Sequence, residues 1–592
     1  MTKSPQFSTD RGTTPWPDAL LQVDDGAGWL ALTDLAAEYT AAEPSEVRAA
    51  IERVERDARD LGWHAAGYAA FEAGAAFGLA AHSLPRDLPL VWFGAYRTAR
   101  QIDHIPAIDT GFSLGPIEPS VDRVAFERAI VAIHDHLKDG NTYQVNFTFA
   151  LSAAFAGDPR ALWRALVRAQ RCRYGAFLRC GRHVICSASP ELFFARDGDR
   201  LASRPMKGTA PRGRTAAEDA AHAQSLSSSA KTRAENVMIV DMARNDLGRV
   251  AEIGSVEVAD LCGIEKYPTL LQMVSTVTAR SRASLADIFA AMHPAASVTG
   301  APKMRTMEII ANLESRPRGV YTGAIGLVRP DGRAQFNVAI RTAVLDEIRA
   351  TVTFGVGAGI VADSSAGSEY DECLLKGRIL TSPPPEFELL ETLRWCPRLG
   401  YVLLDEHLER LAASARYFDV PCDLARARSE LAGAVRAAHT DRRVRLLVDP
   451  GGAVRVEATP LDRLPRRVAA RLAPQPIDTS TPFVFHKTTH RRIHEEAQAG
   501  LPGDVVFWNA DECVTESTNA NVVVEIGGQL VTPPVECGLL AGVARAHVLR
   551  RGRVREAVVT LDEFRTARRA WLLNSVRGWR RIEGVVPQSV EN

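Results

Sequence analysis

Three consecutive prolines, Pro383-Pro384-Pro385, set the first limit on how this chain can fold. A proline has no backbone N–H and a fixed φ, so three in a row fit neither a helix interior nor a central strand. The helical pattern that runs up to Thr381-Ser382 must stop there, and a strand-like run, Phe387 to Trp395, starts beyond. At 592 residues the chain is also too long for a single core. We therefore read 381–386 as a linker between an N-terminal module and a C-terminal one, 387–592. A weaker break at Pro116 to Ser120 sets residues 1–120 apart from 121–380, ahead of a helix expected from Phe126, Ile130, Ile133 and Leu137. Helix-period and strand-period segments alternate on both sides of the prolines, so each module is expected to be α/β (mixed α+β). The sequence has no internal repeat and no low-complexity tract.

Composition narrows the function classes. Acidic and basic residues number 71 each, which leaves no electrostatic footprint for nucleic acid or an anionic membrane. The apolar stretch Gly67 to Ala81 is short and carries Glu72, so it cannot span a bilayer. Met1 to Asp18 is polar and lacks the apolar core of a signal peptide. The nine cysteines form no CxxC pair, which argues against a zinc site or disulfide framework. Together these point to a cytoplasmic, reduced setting. Only eight lysines stand against 63 arginines. Where a generic cation suffices this chain uses Arg, so a retained Lys is a candidate for an amine that must lose its proton and attack carbon.

In the first module, Gln144, Asn146 and Thr148 alternate with Tyr143, Val145, Phe147 and Phe149. That period of two puts the polar three on one strand face, which the pattern alone reads as a solvated outer face. Further on come Ser189-Pro190-Glu191, Arg204-Pro205-Met206-Lys207-Gly208-Thr209, and Lys231 to Asp241 with Glu235 inside it. Ser297-Val298-Thr299-Gly300-Ala301-Pro302-Lys303 follows, then Tyr321, Arg341, the glycine run Gly355 to Gly359, and Ser368-Glu369-Tyr370-Asp371-Glu372 with Lys376. If that last piece is helical, Glu369, Glu372 and Lys376 share a face. Spacing alone admits a surface salt-bridge stripe there as well as a functional face.

In this order the segments resemble the chorismate-binding enzymes, the family of anthranilate synthase large subunits, aminodeoxychorismate synthases and isochorismate synthases. The resemblance covers roughly Asp122 to Leu380, with a weaker family-like region before it. It implies an α/β sandwich with a central pocket for Mg²⁺ and chorismate. By resemblance Glu235 and Glu372, with Glu369, are the Mg²⁺ ligands. Arg341 and Tyr321 would hold a substrate carboxylate, with the backbone at Gly357 and Gly359 close by. Gln144, Thr209, Thr299, Gly300 and Lys376 are further substrate-binding positions, and Glu191 is the general acid for the leaving C4 hydroxyl. Two positions separate the family's reactions. Water-adding members carry a lysine base where this chain has Gln144, and anthranilate synthases carry Ala where it has Lys207. In aminodeoxychorismate synthases that lysine attacks C2, and ammonia then adds at C4. Where several relatives have a His, this chain has Gln272, before Met273-Val274-Ser275.

Beyond Pro385, Lys487 is the sole lysine, in Phe485-His486-Lys487-Thr488. Around it in sequence lie Asp405 to Leu411, Val514 to Val522, Leu540 to Arg545 and Asn574-Ser575. This set resembles the class IV aminotransferases, a family including branched-chain and D-amino acid transaminases and aminodeoxychorismate lyases. The resemblance implies pyridoxal 5'-phosphate (PLP) held covalently by Lys487, Glu516 at its ring nitrogen, and Arg410 with the backbone of Gly542 and Val543 at its phosphate. Ala544 stands where a phosphate-binding hydroxyl is frequent, and the family's opening strands are missing before Phe387. Jointly the two resemblances imply amination of chorismate to 4-amino-4-deoxychorismate, then pyruvate elimination to 4-aminobenzoate, a folate precursor. None of the nine cysteines lies in a glutaminase-like elbow, so ammonia is expected from a separate glutamine amidotransferase subunit. The alternatives are an anthranilate synthase-like first module, a D-amino acid transaminase, or a noncatalytic second module. A homodimer through the second module is a further expectation.

Overall fold

The computed structural model describes residues 16–23, 28–381, 385–462, 465–498 and 503–586. The proposed linker residues 382–384 and most of the Met1 to Asp18 stretch lie outside the described residues. The chain divides into two compact units. The first is Met1–Pro211 with Ala223–Pro384, and the second is Arg212–His222 with Pro385–Asn592. Both mix helices and strands, so the fold is mixed α/β.

In the first unit the strands join a 19-stranded sheet whose long ladders are antiparallel. The helix Arg123–Lys138 forms where the pattern places it. Asp122 caps it by accepting from Ala125 N at 2.7 Å, and Phe126, Ile130 and Ile133 are buried. They pack with Phe147, Phe149, Trp163 and Phe354 in one core. A second core gathers Phe93, Phe194, Phe289 and Phe336 beneath the helices Pro44–Leu61, Ala230–Gly248 and Leu285–Met292.

Two expectations need correction here. Residues 116–120 mark no boundary, because Glu118 and Pro119 pair with Ser152 and Leu151 in the same sheet. A two-residue edge strand tolerates the missing proline N–H. Nor do Gln144, Asn146 and Thr148 face solvent. All three are buried, because the strand Gln144–Gly157 is covered on both faces. Alternation shows that two faces differ in polarity, and a polar face can line an interior site. Glu72 also does not interrupt its apolar stretch idly. Its buried carboxylate accepts from Arg318 N at 2.6 Å and Gly319 N at 3.0 Å. Among the described residues no helix is long and apolar enough to cross a membrane.

The second unit has two sheets. Four antiparallel strands, led by Leu389–Cys396, pack with the helices Leu404–Phe418 and Leu424–Ala434 around Leu393, Leu408, Leu411 and Val444. An eight-stranded mixed sheet holds the rest, with Val506, Val522, Val524 and Leu572 in its core. The segment Arg212–His222, which the sequence reading left inside the first module, belongs to this unit.

Candidate functional sites

In the first unit, Lys207 lies on the strand Met206–Pro211, and its backbone is braced from two sides. Asn236 Nδ2, on the helix Ala230–Gly248, donates to Lys207 O at 3.1 Å, and Gln272 Nε2 donates to Gly208 O at 2.8 Å. Asn236 Oδ1 is fixed in turn by the Ser275 hydroxyl at 2.6 Å. The amine reaches Glu235, with Nζ 3.7 Å from Oε2. It also lies against the glycine run, where a Cβ on Gly359 would come 2.8 Å from Lys207 Nζ and 3.2 Å from Gln144 Nε2. A side chain on Gly359 would push the Lys207 amine from this position. The Gln144 Oε1 atom is buried and has no hydrogen-bond partner.

The helix Ala366–Gly377 does put Glu369, Glu372 and Lys376 together. Lys376 Nζ pairs with Glu372 Oε1 at 2.7 Å and donates to Gly357 O at 2.9 Å, while Glu369 accepts from the Ser364 hydroxyl at 2.8 Å. Arg341 Nη1 donates to Lys376 O at 2.8 Å. The Tyr321 ring fills the space over Gly355, where a Cβ would come within 2.1 Å of it. Thr299 and Gly300 join through the backbone: Asn146 N donates to Thr299 O at 2.8 Å, and Gly300 pairs with Val145. Thr209 is exposed two residues beyond Lys207 and is not drawn in with the rest.

Electrostatics divide these groups into acids and bases with separate tasks. Burial pushes the Glu191 carboxyl up to about 7, against the pull of the Ser297 hydroxyl and the Met206 backbone. Burial lowers the Lys207 amine, helped by Lys376 and opposed by Glu235, Glu369 and Glu372. Burial alone would raise Glu372, but Lys376, Lys207 and Arg341 outweigh it and hold the carboxyl below its usual range. The site thus holds a carboxyl raised to about 7 and an amine held below the ordinary lysine range.

The three carboxylates offer the hard oxygen donors that Mg²⁺ takes. Their oxygens do not lie within 4.8 Å of one another. Among the described residues only Asp87, His183 and Asp346 cluster that tightly. The ammonium groups of Lys207 and Lys376 instead sit against Glu235 and Glu372. A cation entering this site would replace those contacts.

Sequence reasoning missed the frame behind the site. Glu314 and Arg318 form a buried pair at 2.7 Å. Glu314 Oε1 accepts from Thr148 N at 2.8 Å, and Arg318 donates to Asn146 O at 2.7 Å and Val298 O at 2.8 Å. The pair ties the Gln144 strand to the Thr299 turn. The sequence shows an i, i+4 spacing, but nothing in it marks the pair as buried.

In the second unit, Lys487 is largely enclosed and stands among charges of both signs. Burial lowers its amine to about 8, with Arg410 and Arg491 adding to the shift and Glu391 and Glu516 opposing it. Glu516, on the strand Val514–Ser517, accepts from His494 Nε2 at 3.0 Å. Arg410 is held from behind. Its Nε and Nη2 donate to the two oxygens of Glu391 at 2.8 and 2.7 Å, and Nη1 donates to Ala541 O at 3.2 Å. Glu391 also pairs with His407 Nδ1 at 2.6 Å, whose Nε2 meets the Ser575 hydroxyl at 2.9 Å. Arg410 and His407 overcome the burial of Glu391 and hold its carboxyl down at about 2.

The Ala541 contact brings the guanidinium to the start of the helix Val543–Arg550, capped by Gly542. A Cβ on Gly542 would come 1.9 Å from Asn521 Oδ1, so the turn closes only on glycine. A guanidinium beside free helix N–H groups suits a phosphate, and a buried amine flanked by a carboxylate suits the carbonyl and ring nitrogen of PLP. Glu391, His407, His494 and Asn521 were not singled out from sequence, because their value lies in holding other side chains.

Comparison with known proteins agrees with this division. Residues 106–382 match the family described as chorismate binding enzyme, and residues 388–585 match amino-transferase class IV. Aminodeoxychorismate synthase component 1 of Klebsiella aerogenes is 44% identical over 252 residues, 42% of this chain and 55% of that protein. An anthranilate synthase component 1 of Haloarcula marismortui is 42% identical over 271 residues, 45% of this chain and 55% of that one. The chain spans about half the length, or less, of the curated relatives it matches. The crystal structure of anthranilate synthase component I from Streptococcus pneumoniae TIGR4 superposes with a TM-score of 0.53 at 25% identity, covering 60% of this chain and 92% of that one.

Proposed function

We propose that this chain, a chorismate-binding enzyme domain followed by a class IV aminotransferase domain, converts chorismate to 4-aminobenzoate in two steps. The observation that carries the reading is the setting of two lysines at the motif positions the resemblance assigns to chemistry. Lys207 Nζ stands 3.7 Å from Glu235, and Lys487, the one lysine after Pro385, stands among Arg410, Arg491, Glu391 and Glu516.

In the first step Glu191, protonated near neutral pH, gives its proton to the departing C4 hydroxyl, which leaves as water. The neutral Lys207 amine forms a bond to C2 as the ring double bonds shift. Ammonia then bonds to C4, the double bonds shift back and Lys207 is released, so chorismate and ammonia give 4-amino-4-deoxychorismate and water. Glu235 and Glu372, with Glu369 beside them, would hold Mg²⁺, which neutralises a substrate carboxylate. Arg341 and Tyr321 bind the second carboxylate, and the ammonia comes from a separate glutamine amidotransferase.

In the second step Arg410 and the helix start at Gly542–Val543 would hold the PLP phosphate, with Glu516 at the ring nitrogen. Bound there, PLP supplies a carbonyl for the substrate amine and a sink for the electrons released at C4. Lys487, neutral above about pH 8, takes the C4 proton. Cleavage of the enolpyruvyl ether then releases pyruvate and leaves the aromatic ring.

Anthranilate synthase relatives of similar identity favour a second reading, ortho amination. Lys207, where anthranilate synthases carry Ala, speaks against it. Incubating the purified chain with chorismate, an ammonium salt, Mg²⁺ and PLP decides between them. 4-Aminobenzoate is the expected product, and 2-aminobenzoate would overturn the reading.

A further inference from the structure

The segment Arg212–His222 stands far from the rest of the second unit in sequence yet belongs to it. Its centre is a nearly buried ion pair. Arg212 reaches Asp219 with contacts of 2.7–3.0 Å, and Asp219 also accepts from Gly213 N at 2.8 Å. This closes the segment into a small knot. Outward contacts of the knot run to Tyr417 and to the stretch leading to Lys487. The Arg212 guanidinium lies 4.7 Å over the Tyr417 ring and donates to Tyr417 O at 2.8 Å, while Tyr417 Oη donates to Gly213 O at 2.6 Å. Tyr417 stacks on His486, with centroids 4.2 Å apart and planes at 25°. Arg214 lies 4.9 Å over the Phe485 ring and donates to Thr479 O at 3.3 Å. His486 is anchored on its other side by Ser414 at 3.0 Å. Phe485 and His486 are the two residues before Lys487.

These contacts are costly to assemble without purpose. Burying a guanidinium and a carboxylate requires near-complete pairing, and a well-packed apolar pair would fill the same volume as stably. The pair supplies direction: one guanidinium fixes a carbonyl, an aromatic face and a carboxylate in set geometry. The reacting group of a site must be held to within a fraction of an ångström by such supports.

We propose that Arg212, locked by Asp219, is a positioning residue for Lys487. It fixes the Tyr417–His486 stack and, with Arg214 on Phe485, sets the backbone from which the Lys487 amine projects. The second site is therefore completed by a segment encoded within the first module. The chemical role of Lys487 rests on the function proposed above, but the placement of its amine does not, and it can be read separately.

The test uses the full chain. Lys487 is the only lysine after Pro385, so acylation of its peptide by acetic anhydride, followed by mass spectrometry across pH, reports the amine without PLP or substrate. The charges facing it are Arg410, Arg491, Glu391 and Glu516. In Arg212→Ala the stretch loosens and water enters, so the labelling midpoint should rise by about one pH unit toward that of an ordinary lysine. Arg212→Lys, which keeps the charge but loses the fork, should fall between the two. The same Arg212→Ala protein should lose about tenfold or more in pyruvate elimination while aminating chorismate within twofold of the parent, and a circular-dichroism melting curve with the parent's two-unit transitions shows that the second unit is folded. If Arg212→Ala misfolds, Tyr417→Phe, which keeps the ring and drops only the Gly213 hydrogen bond, should give a smaller shift in the same direction. Labelling profiles that superpose on the parent in all three variants would overturn the proposal. Shifted labelling in the variants, together with a parent chain that makes no 4-aminobenzoate, would leave the proposal standing and defeat the functional reading.

Discussion

Lys207 and Lys487 are both partly buried lysines with lowered pKa, but the two units lower them by different means. Lys207 relies on burial and a second lysine, Lys376, against three carboxylates, one of which it meets directly. Lys487 relies on burial and two guanidiniums, Arg410 and Arg491, against two carboxylates. In the first arrangement Glu235 and Glu372 are held, among the described residues, by the ammonium groups of Lys207 and Lys376, which a divalent cation bound there would displace. The second has its acids already committed: Glu391 is clamped by Arg410 and His407, and Glu516 by His494. On the function proposed above, the first site would be reset by a metal, whereas the acids of the second are held by the protein's own side chains.

The largest expected effects come from removing each lysine in turn. Lys207→Ala should lose at least a thousandfold in amination yet still release pyruvate from supplied 4-amino-4-deoxychorismate. Lys487→Ala should do the reverse, accumulating the 4-amino compound until an independent lyase is added. Separate assays of the two half-reactions check this, and loss of both in either variant would break the comparison.

An intermediate effect sharpens the claim that the first site is reset by metal. Glu235→Gln and Glu372→Gln should each raise the Mg²⁺ concentration for half-maximal amination by about tenfold or more, as each removes a charged hard ligand. Mg²⁺ titrations that match the parent in both variants would place the metal elsewhere.

How much of this could be read beforehand depends on the kind of residue. Among the motif residues the structure links Lys207 with Glu235 and with the backbone at Gly359, and Lys376 with Glu372 and Gly357. The lysine argument was too broad, however. Lys303 is retained for a buried ion pair with Asp246 at 2.7 Å, and Lys376 for Glu372, so scarcity marks a need for an ammonium as often as for a nucleophile. Gln272, noted only as a departure from relatives, turns out to hold the Gly208 carbonyl. The Arg212 knot was illegible because its partners lie some two hundred residues away and no local period announces a contact of that range.

The smallest expected effect concerns stability. Glu191 has a folded pKa of about 7 against an ordinary value of 4.5. The folded state therefore holds a proton that the unfolded chain releases, and folding loses stability as pH rises from about 4.5 to 7. Above that window the loss is about 3 kcal/mol. Glu191→Gln removes a charge that must be buried, so above pH 7 it should raise the melting temperature by a few degrees while abolishing amination, with little gain at pH 4.5. Melting curves at the two pH values check it, and an equal gain at both would assign the effect to packing.

The path of the backbone through the two units has a consequence for biosynthesis. The chain leaves the first unit after Pro211, returns at Ala223, and departs again beyond Pro384. At about 5–20 residues per second, Arg212–His222 is made roughly ten seconds or more before the ribosome adds the rest of its unit. During that interval the knot has no Tyr417 to close on. The second unit is thus assembled late, around a piece laid down early, and a protease cutting between 381 and 386 would leave that piece attached to the other fragment.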